Sequence, residues 1–247
     1  MAKLKMTASV VSQAQLAEGI YDLRLKAPEI ASQAAAGQFV SVYSKDGSRL
    51  LPRPISLCGI DKEAGQLRLV YRVAGAGTEE FSALKAGDTV DILGPLGNGF
   101  SLLEGKKAFL IGGGIGIPPM LQLAKELCAL NGSEMVQSVI GYRDSQLFLK
   151  DEFEAYGPVY TATEDGSRGT KGNVLDAIRE NGLTADVIYA CGPTPMLRAL
   201  KAYAAENNIQ CWISLEEKMA CGVGACLACV CQSKEKDEHS QVHNKRI

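Results

Sequence analysis

Four cysteines lie within eleven residues near the C-terminus and are the most informative residues of the sequence. Three of them, Cys221, Cys226 and Cys229, are spaced C-x4-C-x2-C, which is the plant-type spacing for a [2Fe–2S] cluster. The small residues between them allow a loop to wrap a cluster and to direct N–H groups at its sulfur atoms. Zinc is the competing interpretation, but zinc sites usually have C-x2–4-C pairs separated by a longer spacer.

The fourth ligand of such a cluster is not evident. A plant-type site needs one more cysteine downstream, and Cys231 follows Cys229 by only two residues, which is awkward for reaching the second iron. His239 and His243 are alternative nitrogen ligands, although a single histidine would be unusual. The sequence ends at Lys245-Arg246-Ile247 in a pattern that predicts a strand. We therefore expect a truncated chain, with the fourth cysteine just beyond.

A glycine-rich turn, Gly112–Gly116, follows the apolar strand predicted at Lys107–Ile111 and precedes the helix predicted at Pro118–Leu130. Small residues let a backbone approach a phosphate, and free N–H groups at a helix N-terminus favour an anion. Neither the G-x-G-x-x-G fingerprint nor the P-loop is matched, so a tight turn without a ligand is the alternative. A second turn, Cys191-Gly192-Pro193, follows another predicted strand at the sheet edge where ligands bind; taken alone, a small buried cysteine explains it as well.

Arg53 lies between two prolines, and Ser56 follows it. The prolines stiffen the backbone, and a fixed guanidinium is a good partner for a phosphate. Farther along, Val70-Tyr71-Arg72 could supply an aromatic face and a second charge, and Gly75–Thr78 a second phosphate cradle before a helix starting near Thr78. An exposed arginine and an ordinary hairpin are the alternatives for these two segments.

The candidate residues fall into three stretches, which predict domains at 1–101, 102–210 and 211–247. The first stretch has six short strands, which predict an antiparallel sandwich or small barrel; Ala14–Gly19 and Glu79–Lys85 are predicted helical connections, and the turn-rich Gly94–Gly99 a domain boundary. Its strands are predicted at Ala8–Val11, Ile20–Leu25, Phe39–Tyr43, Ile55–Ile60, Leu67–Val73 and Val90–Leu93.

The second stretch alternates strands and helices, which predicts a parallel sheet with helical crossovers. After the strand, turn and helix already described, strands are predicted at Met135–Tyr142, Gly157–Ala162, Asp186–Ala190 and Asn208–Ser214, and helices at Asn173–Asn181 and Thr194–Asn207. The third stretch is too small for a hydrophobic core of its own and would need a cross-link or a metal.

Composition excludes several classes of protein. Of 247 residues, 46% are apolar and 22% charged, the balance of a globular protein. The net charge of −2 gives no support for nucleic-acid binding. No apolar run approaches the roughly 20 residues that span a bilayer, and no secretory signal is evident. We expect a cytoplasmic protein without a membrane segment, in which a disulfide framework is a poor explanation for the eight cysteines.

Taken together, the motifs resemble those of the ferredoxin-reductase-like flavoproteins. Arg53-Pro54-Ile55-Ser56, the turn Gly113–Met120, Cys191-Gly192-Pro193 and the cysteine spacing occur in this order in that family. Within it, the chain is closely similar to the electron-transfer subunits of class 1B, NAD-dependent dihydroorotate dehydrogenase, over essentially its whole length. The resemblance implies a flavin-binding β-barrel, an α/β nicotinamide-nucleotide domain and a C-terminal [2Fe–2S] segment.

The resemblance also implies cofactors, partners and site residues. FAD and the cluster would connect NAD with a catalytic FMN subunit that oxidises dihydroorotate in pyrimidine biosynthesis, in a heterotetramer of two plus two subunits. The family's fourth cluster ligand lies in an Arg-Val/Ile-Cys context, and this sequence stops at Arg246-Ile247. The family's flavin contacts correspond to Arg53, Pro54, Ile55, Ser56, Val70, Tyr71, Arg72, Gly77 and Thr78. Its nucleotide turns correspond to Gly113, Gly114, Gly116, Cys191 and Gly192, and its cluster ligands to Cys221, Cys226 and Cys229.

Other functions are compatible with the same motifs. A related subunit could pass electrons between NAD(P)H and ferredoxin, and an apolar patch at Met219–Leu227 would suit either partner. A third possibility is a docking scaffold without cofactors. The colour of the purified protein would distinguish it, since such a scaffold would be colourless. Selectivity between NAD and NADP is expected near Gly141–Asp144, where Arg143 favours and Asp144 disfavours a 2′-phosphate. Electron transfer needs no general base, so we predict no acid–base catalyst.

Overall fold

The first part of the molecule is a closed antiparallel barrel of six strands in the order β1-β2-β5-β4-β3-β6. The computed structural model describes residues 3–216, 219–226, 228–236 and 243–246. The predicted barrel is confirmed, and the six predicted strands all form. Its elements are β1 (Leu4–Ala17), β2 (Ile20–Lys26), α1 (Pro28–Ala31), β3 (Phe39–Val42), β4 (Arg53–Asp61), β5 (Gln66–Arg72), α2 (Ala76–Ser82) and β6 (Thr89–Leu96).

Strand β5 shows how the barrel is built. Successive side chains of a strand point to opposite faces. Leu67, Leu69 and Tyr71 are buried in the barrel core. The alternate residues Arg68, Val70 and Arg72 therefore lie on the outer face, where Val70 packs into a second core shared with the rest of the molecule. The outer face of β5 is thus one wall of the contact between the two domains.

The second part is a parallel sheet of six strands in the order β10-β9-β8-β7-β11-β12, which confirms the predicted α/β domain. Predicted elements are found with ends shifted by one or a few residues. The short strand β10 and helix α4 were not predicted. The elements are β7 (Ala108–Gly113), α3 (Ile117–Asn131), β8 (Val136–Tyr142), α4 (Lys150–Phe153), β9 (Val159–Thr163), β10 (Thr170–Lys171), α5 (Val174–Glu180), β11 (Val187–Cys191), α6 (Thr194–Glu206) and β12 (Gln210–Ser214).

Helix α3 is the central element of the contact between barrel and sheet. Pro118 and Pro119 occupy its first turn, where their missing N–H groups leave no hydrogen bond unmade. Its residues are buried on nearly every side, as expected of a helix packed between two layers. One polar residue, Gln122, is buried among them, and its Oε1 accepts the backbone N–H of Ile60 in β4 at 2.9 Å. The helix is therefore tied to the barrel by both apolar packing and a hydrogen bond.

Two predictions for the first hundred residues were wrong in detail. Ala14–Gly19 is not helical, because Ala14, Gln15 and Ala17 pair with β2 in a hairpin that turns at Gly19. Helix α2 begins at Ala76, before the expected Thr78, and ends at Ser82. The turn-rich segment Gly94–Gly99 begins inside β6, because Gly94 pairs with Leu4 and Leu96 with Phe39.

The C-terminal segment adds a small antiparallel pair, β13 (Val230–Gln232) and β14 (Asn244–Arg246), with Cys231 opposite Lys245. A pair of this size has no core of its own, so its position depends on the rest of the molecule. The predicted alternative ligand His239, the end of the expected apolar patch at Leu227, and Ile247 lie outside the described residues. Within the described residues, no helix has both the length and the apolar character needed to cross a membrane.

A pH-dependent stability is expected from Glu152 on α4. Hydrogen bonds from Arg68 hold the pKa of the Glu152 carboxyl below its ordinary value of 4.5. A carboxyl whose pKa is lower in the folded state stabilises the fold above its unfolded pKa, and that contribution is lost as pH falls through the folded pKa. We expect the Tm of Glu152→Gln to lie about 1–3 °C below wild type near neutral pH and the two to converge below about pH 4. Thermal denaturation across this range measures the gap, and a gap that persists in acid would contradict the assignment.

Candidate functional site

A cavity of about 860 Å³ lies where the barrel, the parallel sheet and the C-terminal segment meet. Its volume is in the range of small-molecule and cofactor sites, about 300–1,000 Å³. The barrel contributes eight of the predicted flavin contacts to its wall: Arg53, Pro54, Ile55, Ser56, Val70, Tyr71, Arg72 and Thr78. The other side is formed by the parallel-sheet domain and the segment that follows it, including Ile115, Trp212, Ser214, Glu216, Met219 and Cys231.

Arg53 is the first residue of β4, and its neighbours hold it in place. Its backbone pairs with Val42, and its Nη1 donates to the carbonyl oxygen of Leu51 at 2.5 Å. Gly77, the remaining predicted flavin contact, explains the position of the guanidinium, because a Cβ at Gly77 would lie 2.7 Å from Arg53 Nε. Thr78 follows Gly77, and its Oγ1 accepts the N–H of Ala74 at 2.9 Å. The site therefore has a fixed positive group of the kind that a phosphate requires.

Most of the aromatic surface of the cavity comes from residues other than the predicted Tyr71. Tyr71 borders the cavity, but the residue is only 3% exposed, and its ring packs between Tyr21 and Phe81 in the barrel core. Its hydroxyl donates to Gln13 Oε1 at 3.0 Å, and burial raises the pKa of Tyr71. Phe39, Phe100 and Trp212 supply aromatic surface instead. Nothing in the sequence marked these three, since Phe39 and Trp212 lie within ordinary strands and Phe100 lies in the loop after β6.

The indole of Trp212 is the clearest sign that the cavity suits a polar ligand. Its Nε1 is buried and, among the described residues, has no hydrogen-bond partner. Buried donors of this kind are nearly always satisfied in folded proteins. Trp212 lines the cavity, so a ligand with acceptor atoms is the natural partner for this donor. An aromatic ring system with carbonyl and phosphate oxygens, such as FAD, matches both the aromatic walls and the two arginines.

The two predicted nucleotide turns lie against each other. Cys191 pairs with Gly112 at the carboxyl ends of adjacent parallel strands, which is the ligand-binding edge of such a sheet. A Cβ on Gly116 would lie 2.4 Å from the carbonyl oxygen of Cys191, and one on Gly192 would lie 3.1 Å from the backbone of Gly113. Only glycine allows the two backbones to approach this closely.

The first two glycines of the predicted turn lie in a strand and not in the turn. Gly112 and Gly113 belong to β7 and pair with β8, and the turn itself is a short 3-10 segment at Gly114–Gly116. A Cβ at Gly112 would lie 2.8 Å from Ile117 Cα. Because Gly112 and Gly113 have no side chain, the strand can pack closely against the helices beside it. Gly114 and Gly116 form the bend.

Cys191 is a buried thiol rather than a reactive thiolate. Burial raises its pKa to about 12, and the nearby Glu216 carboxylate acts in the same direction. Glu216 was missed by the sequence analysis. The available signal was its position, two residues beyond the end of β12 at the same ligand-binding edge. Glu216 is also an acidic group in a cavity that contains Arg53 and Arg72.

The cysteine segment rests on the barrel. A Cβ on Gly222 would lie 3.0 Å from Ser41 Oγ and 3.2 Å from Leu96 Cδ1, and Lys3 Nζ donates to the carbonyl oxygen of Val223 at 2.9 Å. Within the loop, Cys221 Sγ accepts the backbone N–H groups of Ala225 at 3.3 Å and Cys226 at 3.4 Å. These N–H groups, that of Cys226 foremost, lower the pKa of Cys221 to about 6.

This loop fits a thiolate ligand, because its N–H groups are already directed at a sulfur, as in iron–sulfur sites. The structure does not gather the three predicted ligands, however: among the described residues, no group of three or more Cys, His, Asp or Glu is arranged to hold a metal ion. Cys226 is exposed and Cys229 is buried. Cys231 lines the large cavity from β13. Of the expected apolar patch, Met219 also lines that cavity.

Cysteine reactivity should follow these environments. Cys58 and Cys191 are buried, and burial raises the pKa of each to about 12, so at neutral pH their thiolate fractions are about a thousandfold below that of a free cysteine. In protein prepared without iron, we expect iodoacetamide to label exposed Cys226 within minutes and to leave the other two unlabelled until denaturant is added. Peptide mapping by mass spectrometry measures this order, and rapid labelling of Cys191 in the folded protein would contradict it.

Three family models match the chain in sequence order. They are an oxidoreductase FAD-binding domain at residues 7–100, an oxidoreductase NAD-binding domain at residues 110–202, and the iron-sulfur cluster binding domain of dihydroorotate dehydrogenase B at residues 216–247. The barrel, the parallel sheet and the cysteine segment coincide with these matches. Fold and site together define a flavin- and iron–sulfur-dependent, NAD-linked oxidoreductase subunit.

Relatives narrow this class further. The chain is 48% identical over 228 residues to the electron transfer subunit of dihydroorotate dehydrogenase B (NAD(+)) from Bacillus caldolyticus, covering 90% of this chain and 87% of the relative. It is 45% identical over 229 residues to the subunit of the same name from Geobacillus sp. (strain WCH70), covering 91% and 88%. The chain belongs to this family, the electron transfer subunits of dihydroorotate dehydrogenase B (NAD(+)).

A solved structure shows the same architecture. The NADH-dependent reduced ferredoxin-NADP oxidoreductase has a chain that is 30% identical to this one and superposes with a TM-score of 0.85, covering 97% of this chain and 87% of its own length. The predicted resemblance to ferredoxin-reductase-like proteins is therefore confirmed at the level of fold and family.

Proposed function

We propose that this chain exchanges electrons between NAD(H) and a catalytic, FMN-containing subunit that oxidises dihydroorotate to orotate in pyrimidine biosynthesis. The observation that carries the proposal is the single cavity to which the barrel, the nucleotide-binding domain and the cysteine segment all contribute. Such a meeting point supports electron transfer between the three parts, because each of them borders the same cavity. The proposed setting is the cytoplasm, in an assembly of two electron-transfer and two catalytic subunits.

The cavity would hold FAD. When bound, a flavin can exchange a hydride with a nicotinamide and single electrons with an iron–sulfur cluster. Arg53 would hold a phosphate with its fixed guanidinium, and Arg72 adds a second positive charge. Ser56, Thr78 and Trp212 offer hydrogen-bonding groups on the wall of the cavity. The remaining predicted contacts, Pro54, Ile55, Val70, Tyr71 and Gly77, shape that wall.

The two glycine turns would hold the nicotinamide nucleotide. Gly113 and Gly116 let the strand and the two turns pack closely at the N-terminus of α3, where a phosphate is favoured. Gly114 forms the bend between them, and Cys191 and Gly192 form the adjoining edge. Cys191 is a neutral thiol, so it forms part of the wall of the nucleotide site and does not act as a nucleophile. The relatives are named for NAD(+), and we assign NAD rather than NADP on that support. Arg143 is exposed after β8, and the side chain of Asp144 accepts the N–H of Gln146 at 2.9 Å.

The cysteine loop would hold the [2Fe–2S] cluster through Cys221, Cys226 and Cys229. The cluster, when bound, supplies one-electron transfer. The N–H groups at Cys221 stabilise its thiolate form, which is the form that binds iron. The loop packs on the barrel, with Gly222 lying against Ser41 and Leu96.

Coupled oxidation of dihydroorotate tests the proposal. Anaerobic NADH formation from dihydroorotate and NAD is measured with the catalytic subunit alone, with this chain alone and with both together. We expect NADH only when both chains are present. Iron and acid-labile sulfide are assayed on the same sample, with about two irons per chain expected.

Three outcomes would overturn this assignment. Reduction of NAD by the catalytic subunit alone would remove the need for this chain. Failure of the mixture to make NADH, together with rapid NADPH- or NADH-driven reduction of ferredoxin, would establish the reductase that the 30% identical structure favours as the second candidate. A colourless protein that takes up no FAD would leave a docking scaffold.

A further inference from the structure

The barrel and the nucleotide-binding domain are joined at one edge of their interface by an ion-pair cluster, which we call the Arg68 clamp and which consists of Arg68, Asp22 and Glu152. Arg68 Nε donates to Asp22 Oδ1 and Oδ2 at 3.1 and 3.0 Å. Its Nη1 and Nη2 donate to Glu152 Oε2 at 2.5 Å and Oε1 at 2.8 Å. Arg68 and Asp22 belong to the barrel, and Glu152 lies on α4 of the other domain.

The clamp is built to be rigid. The side chains of Arg68 and Asp22 are only 12% and 10% exposed, and Arg68 lies over Gly59, where a Cβ would come within 3.2 Å of the arginine Cβ. A guanidinium that engages two carboxylates through its planar fork is fixed in orientation as well as in distance. A smaller cavity of about 230 Å³ borders the clamp, so the cluster lies at the rim of the interface and not within its apolar centre.

The clamp and the large cavity lie on the same face of β5. Arg68, Val70 and Arg72 alternate outward, with Val70 in the shared core and Arg72 on the cavity wall. Four residues of strand span about 13 Å. A rotation of about 4° about the clamp would therefore move the cavity wall by about 1 Å relative to the nucleotide turns, a displacement that can cost about a hundredfold in a reaction that depends on alignment.

A second contact links β4, the other strand that carries predicted flavin contacts, to α3, the helix that follows the glycine turn. Strand β4 starts at Arg53 on the cavity and carries Ile60 near its far end, where the Ile60 N–H donates to Gln122 Oε1 at 2.9 Å. Gln122 lies on α3, which starts directly after the glycine turn, and its Nε2 donates to Glu126 at 2.8 Å. Both strands that carry predicted flavin contacts are thus fastened to the nucleotide-binding domain away from the cavity.

We propose that Arg68 and Glu152 are positioning residues for hydride transfer: they fix the angle between the flavin-binding strands and the nicotinamide-binding turns. The inference rests on the proposed function. In that reaction a hydride leaves NADH, which becomes NAD⁺, and reduces the oxidised flavin. Neither residue borders the flavin cavity, so their effect is on alignment and not on cofactor affinity.

The test compares Glu152→Ala with Glu154→Ala. Glu154 is a matched control because it lies two residues away and pairs with Lys150 within the same segment, not with the barrel. Both proteins are loaded with FAD and mixed anaerobically with NADH in a stopped-flow spectrometer. We expect the limiting rate of flavin reduction to fall about tenfold in Glu152→Ala, with less than a twofold change in the Kd for NADH. The control should match wild type.

A second readout does not depend on turnover. Stacking of nicotinamide on flavin gives a long-wavelength charge-transfer absorbance, which we expect to be weakened in Glu152→Ala and largely restored in Glu152→Gln, because glutamine keeps the shape and one hydrogen bond to Arg68. Unchanged rate and absorbance in Glu152→Ala, with an active control, would overturn the inference. Loss of FAD from both Glu152 variants would also overturn it by showing a structural role. Absence of flavin reduction by NADH in wild type would instead reject the proposed function.

Discussion

Replacement of Gly116 by alanine is expected to weaken NADH binding by about 30- to 150-fold. The new Cβ would lie 2.4 Å from the carbonyl oxygen and 2.5 Å from the carbonyl carbon of Cys191, and 2.6 Å from the backbone nitrogen of Gly192. These are backbone atoms of the adjoining turn, so no side chain can rotate away. Overpacking of this kind costs about 2–3 kcal/mol, and the strain falls on the two turns that would hold the nucleotide. Isothermal titration with NADH measures the effect.

Gly114→Ala is the matched control for this prediction. Gly114 lies two residues earlier in the same turn, and a Cβ there would meet nothing within 4 Å. Its φ of +54° makes the substitution cost about 1 kcal/mol in backbone strain, so NADH binding should weaken by about fivefold at most. FAD content and Tm of both variants show whether the barrel is intact. Wild-type affinity in Gly116→Ala would show that the two turns do not form the nucleotide site.

Replacement of Arg53 by alanine is expected to weaken FAD binding by about 10- to 150-fold. A hydrogen bond to a charged group contributes about 1.5–3 kcal/mol, and Arg53 is the cavity arginine whose guanidinium is fixed by both Leu51 and Gly77. Arg53→Lys keeps the charge but loses the planar fork, so an intermediate loss is expected. Flavin fluorescence titration of the cofactor-free protein gives the affinities.

Arg49→Ala separates the loss of a site contact from the loss of a nearby charge. Arg49 lies four residues before Arg53 but pairs with Glu80 and Asp46 and does not line the cavity. Its replacement should leave the FAD affinity within about twofold, since an ion pair of this exposure contributes about 1 kcal/mol or less to stability. Equal losses from Arg49→Ala and Arg53→Ala would mean that overall charge, and not the Arg53 contact, controls flavin binding.

Much of the fold was predictable because its signals are local. The alternation Leu67, Leu69, Tyr71 against Arg68, Val70, Arg72 marks a strand with one buried face, and the alternating strands and helices after Gly105 determine a parallel sheet. The helix predicted at Ala14–Gly19 failed because hairpin pairing with β2 overrides local preference. Strands β10 and β13 were missed because strands of two or three residues carry no periodicity, whereas the strand predicted at the C-terminal end overlaps β14 at Lys245-Arg246.

The site was predictable only where a motif is contiguous. Arg53–Ser56, the glycine turn and Cys191-Gly192 are runs whose residue types already imply close approach to a ligand. Trp212 and Glu216 are single residues whose role depends on where β12 ends in space. The same limit applies to the Arg68 clamp, because Asp22, Arg68 and Glu152 are far apart in sequence and meet only through the packing of two domains.

The composition of the large cavity has a consequence for how the protein matures. Its lining residues run from Gly37 to Cys231, so the pocket is not complete until the chain has been synthesised beyond Cys231. The barrel precedes the other domains in sequence, and domains generally fold in the order in which they are made. Before the later domains have been made, the barrel provides one wall of the pocket, and Trp212 and Cys231 are still missing from it. Cofactor insertion is therefore expected to follow synthesis of the cysteine segment, and the bound cofactor to join parts of the chain that are far apart in sequence.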